Sequence, residues 1–228
     1  MAGDVDGWMS TAQDFVSVAE RNQAARFIQT ADAARHLVGR ALLRRLLARW
    51  CPDIVVGPVL ETNHFGKPHL TDSGCEFSIS HSGDWIWVAM SRGIPVGIDV
   101  EQCRPNIVPL FITPFFHLSE QQALVGCSIA ALIRCWARKE AVMKTTGQGM
   151  GLPLTGFCVA VDDCDQDWLL DGPPSRSGAW TCVDLPIRLG YHLSVVAAAP
   201  AVSVQAHRVT FDQLTGGRPW PDAESMSR

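Results

Sequence analysis

The stretch Cys135-Trp136-Ala137-Arg138-Lys139-Glu140-Ala141-Val142-Met143-Lys144 decides how the chain is read. It is the second half of a helix predicted over residues 129–146, with no glycine, proline or β-branched run before Val142 and Thr145-Thr146-Gly147 as its stop. Positions three or four apart share a helix face, so Trp136, Glu140 and Lys144 form one row. That row sets an aromatic, a carboxylate and an ammonium where a core-facing stripe would be apolar. Taken alone, it reads most simply as an exposed Glu-to-Lys pair beside a half-buried tryptophan.

The 228 residues suffice for one large domain or two smaller ones, and 47% hydrophobic with 18% charged residues describes a globular protein. A net charge of −4 argues against a nucleic-acid binder driven by overall charge. No run of about 18 uncharged apolar residues is present, so no membrane span is expected. Met1-Ala2-Gly3-Asp4-Val5-Asp6 carries acids where a signal peptide has bases, and a cytoplasmic protein is expected. The eight cysteines form no Cys-x-x-Cys and no zinc spacing, and most read as small buried hydrophobes.

Residues 32–50 predict a helix with Leu42, Leu43, Leu46, Leu47 and Trp50 as its apolar stripe. Arg35, Arg40, Arg44, Arg45 and Arg49 spread over the remainder as a mostly solvated face, with the first available to a phosphate. Asn63-His64-Phe65-Gly66-Lys67-Pro68 is a turn in which Gly66 permits a tight backbone and Lys67 sits on an exposed loop. Glu76-Phe77-Ser78-Ile79-Ser80 alternates as a strand, His81-Ser82-Gly83-Asp84 turns, and Trp85–Met90 predicts a buried strand. Val96-Gly97-Ile98-Asp99-Val100-Glu101 is a further strand whose two carboxylates point to one face. Adjacent carboxylates repel unless a cation or proton lies between them, and a hard divalent ion such as Mg²⁺ suits them. The competing reading is a frayed strand end with both acids hydrated.

A linker with Pro105, Pro109 and Pro114 follows, and Leu118-Ser119-Glu120 opens a helical run. Beyond the central helix come a glycine-rich loop at residues 147–153 and strand-like runs at 157–161, 180–183 and 192–197. Helix then strands, linker, helix then strands predicts an α+β (α/β) chain of two similar helix-plus-antiparallel-sheet halves. The halves are expected at residues 1–101 and 102–208, with a tail at 209–228.

Phe77-Ser78-Ile79-Ser80-His81-Ser82, Val96–Glu101 and Trp136–Lys144, in this order, resemble the 4′-phosphopantetheinyl transferases of the Sfp type. The three segments match that family's S-x-S-H-S, G-I/V-D-x-E and W-x-x-K-E-A-x-x-K patterns, Gly66-Lys67-Pro68 matches its G-K-P, and Arg35 falls where it has a helix arginine. The resemblance runs from about residue 20 to about residue 200. It implies a pseudo-twofold monomer with its active site between the halves. The implied reaction, of the holo-[acyl-carrier-protein] synthase type, moves the phosphopantetheine arm of coenzyme A to a serine of an apo acyl or peptidyl carrier protein and releases 3′,5′-ADP. Such carriers serve fatty-acid, polyketide or nonribosomal-peptide synthesis.

By the same resemblance, Asp99, Glu101 and Glu140 hold Mg²⁺, and Glu140 is also the base for the serine proton. Lys144 neutralises the pyrophosphate, His81 contacts a coenzyme A phosphate, and Ser80 adds a hydroxyl. Arg35 and Lys67 meet the 3′-phosphate end, Gly66 and Pro68 lie beside the adenine, and Trp136 packs. The chain departs from the pattern before the first long helix, where Arg21 and Arg26 replace a lysine-rich segment. The competing expectation is a non-catalytic module of this fold that binds coenzyme A or a carrier protein; the intact trio of acids argues against it, because a mere binder needs no repelling carboxylates.

Overall fold

The computed structural model describes residues 5–54, 59–104 and 112–217. Pro105, Pro109 and the expected extended pieces at Val55, Val56 and Pro58 lie outside the described residues. Helices and antiparallel sheets give the α+β class expected. Packing divides the chain into two compact units, residues 1–58 with 203–228 and residues 59–202.

The first unit is helical. Helices α1 (Val5–Ala12) and α2 (Val18–Ala24) pack on α3 (Thr30–Trp50), although residues 1–30 are weakly patterned in sequence. Helix α2 begins in a capping box: Ser17 Oγ accepts from the Glu20 N–H at 3.2 Å, and Glu20 Oε2 accepts from the Ser17 N–H at 2.8 Å. The same Glu20 oxygen accepts from Arg44 Nε at 2.9 Å, which takes Arg44 off the solvated face assigned to it. Leu43 and Leu47 of the predicted stripe are buried, while Leu42, Leu46 and Trp50 are half-buried.

The second unit holds the sheets. Strands β1 (Glu61–Thr62) and β2 (Pro68–His69) flank the Asn63–Lys67 turn. Strands β3 (Cys75–Ser82) and β4 (Trp85–Arg92) form a hairpin. Strand β4 is half-buried along nearly its whole length, whereas its apolar run predicts full burial. Strand β5 (Val96–Gln102) pairs along its length with a strand from far down the chain, β9 (Tyr191–Ala197). The intervening segment supplies helices α4 (Leu118–Ala123) and α5 (Ile129–Thr146), the short pair β6 (Cys158–Val159) and β7 (Leu169–Asp171), and β8 (Thr181–Asp184), which extends the sheet beyond β9.

Helix α5 has the bounds its sequence predicts, for reasons visible at its ends. Ser128 Oγ accepts from the Ala131 N–H as N-cap, and Gly147 at φ +73° provides the left-handed C-cap. The helix packs on β5 and β9 and is buried almost all round. Phe116, Leu132, Met143, Phe157, Trp168 and Val196 belong to the core cluster around it. Full burial of each such side chain contributes about 2 kcal/mol.

Among the free thiols, Cys135, Cys158 and Cys182 are buried, and burial pushes each thiol's pKa up, as suits inert hydrophobic residues. In the first unit, the segment expected as a tail from residue 209 begins with helix α6 (Phe211–Thr215), capped by Thr210 and anchored by buried Leu214.

Candidate active site

Gly97 sets the distance between α5 and β5. A Cβ at this position would lie 2.1 Å from the Ala141 carbonyl oxygen and 2.4 Å from Thr145 Oγ1. Only a glycine lets the helix backbone approach the strand so closely. The approach brings the row of Glu140 and Lys144 over the end of β5 that carries Asp99 and Glu101.

The other edge of β5 is closed by side chains. Along β3, serine recurs at every second position, so Ser78, Ser80 and Ser82 point to one face. Their hydroxyls accept from the N–H groups of Ile98 at 3.2 Å, Val100 at 3.2 Å and Gln102 at 3.1 Å. This ladder replaces main-chain pairing and leaves the hydroxyl protons for the acids: Ser80 donates to Asp99 Oδ1 at 2.8 Å, and Ser82 donates to Glu101 Oε2 at 2.9 Å.

Lys144 reaches across to the same place. Its ammonium donates to Asp99 Oδ1 at 2.5 Å and to Ser80 Oγ at 3.1 Å. The exposed Glu140–Lys144 helix pair is therefore not what forms, because the row faces β3 and β5 and Lys144 finds its counter-ion there. Trp136, the third member, stacks on Phe116 with ring centroids 6.2 Å apart and serves packing as expected.

Burial raises the proton affinity of all three acids, and neighbouring carboxylates add to it at Glu101 and Glu140. Burial raises the pKa of Asp99, against the pull of Lys144 and Ser80. Glu101 is raised by burial and by Asp99, with hydrogen bonds from Ser82 and Trp136 opposing. Glu140 is pushed up to about 7 by burial and by the charges of Asp99 and Glu101, against Lys144. Asp99 Oδ2 is buried with no hydrogen-bond partner among the described residues. Hard oxygen donors, mutual repulsion and one orphaned buried oxygen are the chemistry that a divalent cation satisfies. Among the described residues, however, no three of His, Cys, Asp or Glu are gathered as a ready-made metal cluster.

His81 lies within β3 opposite Ile86 and is exposed; the strand runs on to Ser82, and the turn expected at His81 falls at Gly83-Asp84. The extension follows from the third rung of the serine ladder. Gly66 has φ +86°, as a tight turn requires. Lys67 is half-buried rather than on an exposed loop: its ammonium donates to the Val96 carbonyl at 3.3 Å, and burial lowers its pKa. Pro68 opens β2. Ser80, expected to offer a hydroxyl to a ligand, is buried and engaged by Asp99, Lys144 and Val100. Arg35 belongs to the first unit, where it pairs with Asp32 at 2.5 Å.

Two residues with no role assigned from sequence hold α5 in place. Arg138, fully buried, donates to Asp184 Oδ2 at 2.6 Å and to the carbonyls of Ala160, Asp162 and Cys164. Lys139, fully buried, donates to Glu120 Oε1 at 2.7 Å and to the Phe157 carbonyl at 3.0 Å. Their sequence signal was two charges on helix faces that the row Trp136, Glu140 and Lys144 leaves to the core.

Two family models match the chain: one described as 4′-phosphopantetheinyl transferase, N-terminal, over residues 5–93, and one as the 4′-phosphopantetheinyl transferase superfamily, over residues 95–196. The 4′-phosphopantetheinyl transferase Sfp of Bacillus subtilis (strain 168) is 30% identical over 205 residues, covering 88% of this chain and 90% of that one. A second 4′-phosphopantetheinyl transferase of Bacillus subtilis is 31% identical over 166 residues, covering 71% and 72%. The transferase psf-1 of Bacillus pumilus is 29% identical over 206 residues, covering 88% and 86%. The chain belongs to the 4′-phosphopantetheinyl transferase family, and within it is Sfp-type.

Proposed function

We propose that this enzyme transfers the phosphopantetheine arm of coenzyme A to a serine of an apo acyl or peptidyl carrier protein, in a Mg²⁺-dependent reaction that releases 3′,5′-ADP. The observation that carries the reading is the trio of mutually repelling acids, Asp99, Glu101 and Glu140, set beside Lys144 with Asp99 Oδ2 orphaned. These three carboxylates are the proposed holders of Mg²⁺. Bound there, the ion supplies charge neutralisation to the pyrophosphate.

The chain's own groups do the rest, since phosphoryl transfer depends on positioning and electrostatics more than on covalent chemistry. Glu140 accepts the proton of the attacking serine hydroxyl. Lys144 neutralises the charge on the departing 3′,5′-ADP. His81, exposed on β3, contacts a phosphate of the coenzyme. Gly66, Lys67 and Pro68 receive its adenine and 3′-phosphate end, and Arg35 is assigned to that phosphate. The organisation into halves meeting near residue 101 belongs to the same proposal, and family matches that abut at residues 93 and 95 support it. A monomer acting in the cytoplasm completes the reading; no helix among the described residues is long and apolar enough to cross a membrane.

Glu140→Gln tests the assignment, because it keeps shape and removes the base. Transfer is expected to fall by about a thousandfold, with coenzyme A binding retained in calorimetry. A wild-type rate in this variant would remove Glu140 from the mechanism.

A further inference from the structure

Asn63 joins three pieces of the second unit. Its Oδ1 accepts from the N–H groups of Phe65 and Lys67, both at 2.9 Å, and closes the turn from within. Its backbone shares that closure, with the Asn63 N–H donating to the Lys67 carbonyl at 2.9 Å and the Gly66 N–H donating to the Asn63 carbonyl at 2.9 Å. Its Nδ2 donates to the Gly147 carbonyl at 2.7 Å. Gly147 is the C-cap of α5, three residues beyond Lys144, and its carbonyl is one of the groups that a helix end leaves without an intrahelical partner.

The fit around this tether is close. A Cβ on Gly147 would lie 3.2 Å from Asn63 Nδ2 and 3.5 Å from Lys67 Cδ, so the Lys67 side chain runs past the helix end before its ammonium meets the Val96 carbonyl at the start of β5. A Cβ on Gly151 would meet the Phe65 ring at 2.5 Å, which seats the same turn on the loop after α5. The turn bearing Lys67 and the helix bearing Glu140 and Lys144 are 84 residues apart at the bonded pair Asn63 and Gly147, and one side-chain amide spans them.

We propose that Asn63 is a positioning residue for coenzyme A: it holds Lys67 in register with the C-terminal end of α5, so that the group receiving the 3′-phosphate end and the groups acting on the pyrophosphate keep one fixed spacing. The inference rests on the coenzyme A reading given above. A rigid spacing matters because the ligand must touch both places at once, and a loosened turn costs ground-state binding more than chemistry. Asn suits the position because it offers an acceptor and a donor on one short planar group. The substitution Asn63→Asp keeps the acceptor for the turn but sets a second acceptor against the Gly147 carbonyl.

The test measures coenzyme A binding by calorimetry, and KM and kcat in transfer, for the wild type, Asn63→Ala, Asn63→Asp, Lys67→Ala and the Asn63→Ala/Lys67→Ala double variant. Thermal unfolding of each variant establishes that it is folded. Asn63→Ala is expected to raise Kd and KM for coenzyme A about tenfold, with kcat within about twofold of wild type. Asn63→Asp does not restore wild-type KM, since the tie to α5 stays broken. In the Lys67→Ala background, removing Asn63 adds less than about twofold, because the two act through one contact. If Asn63→Ala does not fold, Asn63→Asp and Lys67→Ala carry the comparison. Wild-type KM in Asn63→Asp, a loss confined to kcat, or full additivity in the double variant would overturn the positioning role. No coenzyme A binding by the folded wild type would instead overturn the coenzyme A reading on which it rests.

Discussion

The side chain at position 140 shows how burial and neighbours turn an ordinary glutamate into a proton-holding group. Its carboxyl is pushed from 4.5 to about 7, first by desolvation and then by Asp99 and Glu101. A raised carboxyl pKa means that the folded state binds the proton more tightly than the unfolded chain. Protonation therefore stabilises the fold: the contribution is complete below about pH 4.5 and is lost as pH rises through about 7. With chelator present, wild type and Glu140→Gln are expected to unfold at similar temperatures near pH 5, whereas near pH 8 the variant unfolds several degrees higher. Melting curves at the two pH values check this, and an unchanged difference between the proteins would contradict the assigned electrostatics. The identity of this residue was legible in sequence. Its proton affinity was not, because it depends on two carboxylates about 40 positions away and on how much water the fold removes.

At the scale of elements, helix α5 against strand β5 is the contact on which the site depends. Gly97→Ala puts a methyl 2.1 Å from the Ala141 carbonyl oxygen, backbone that cannot turn aside. Helix and strand must separate, at a cost of about 2–3 kcal/mol. Urea unfolding is expected to show the loss as a lower midpoint with an unchanged slope, accompanied by a fall in transfer rate; a wild-type midpoint would show that the packing is looser than described. The bounds of α5 were readable from its caps and its freedom from breakers, and β3 from its alternation. Why serine recurs in β3 was not readable, since the hydroxyls answer N–H groups on another strand. The same limit explains His81, drawn into the strand when the third rung moved the turn to Gly83. Helix α1 escaped notice because, at eight residues, it is too short for a helical pattern to repeat.

For the whole molecule, strong local patterns and long-range pairing divide the fold between what one sequence discloses and what it conceals. Glu120 with Lys139, fully buried, and half-buried Asp184 with buried Arg138 are ion pairs made 19 and 46 residues apart, and neither member of either pair marks its partner in the letters. Removing one partner of such a pair leaves an uncompensated charge in the core, so these contacts constrain the packing around α5. The motifs that carry the family resemblance were legible because they are dense and ordered, and the family match agrees with that resemblance over most of the chain. The direct measurement is the mass of apo acyl and peptidyl carrier proteins after incubation with the purified enzyme, coenzyme A and Mg²⁺, with a parallel reaction in chelator. The account predicts a gain of one phosphopantetheine on the serine of at least one carrier, with the gain lost in chelator; no gain on any carrier by a folded enzyme that binds coenzyme A would contradict it.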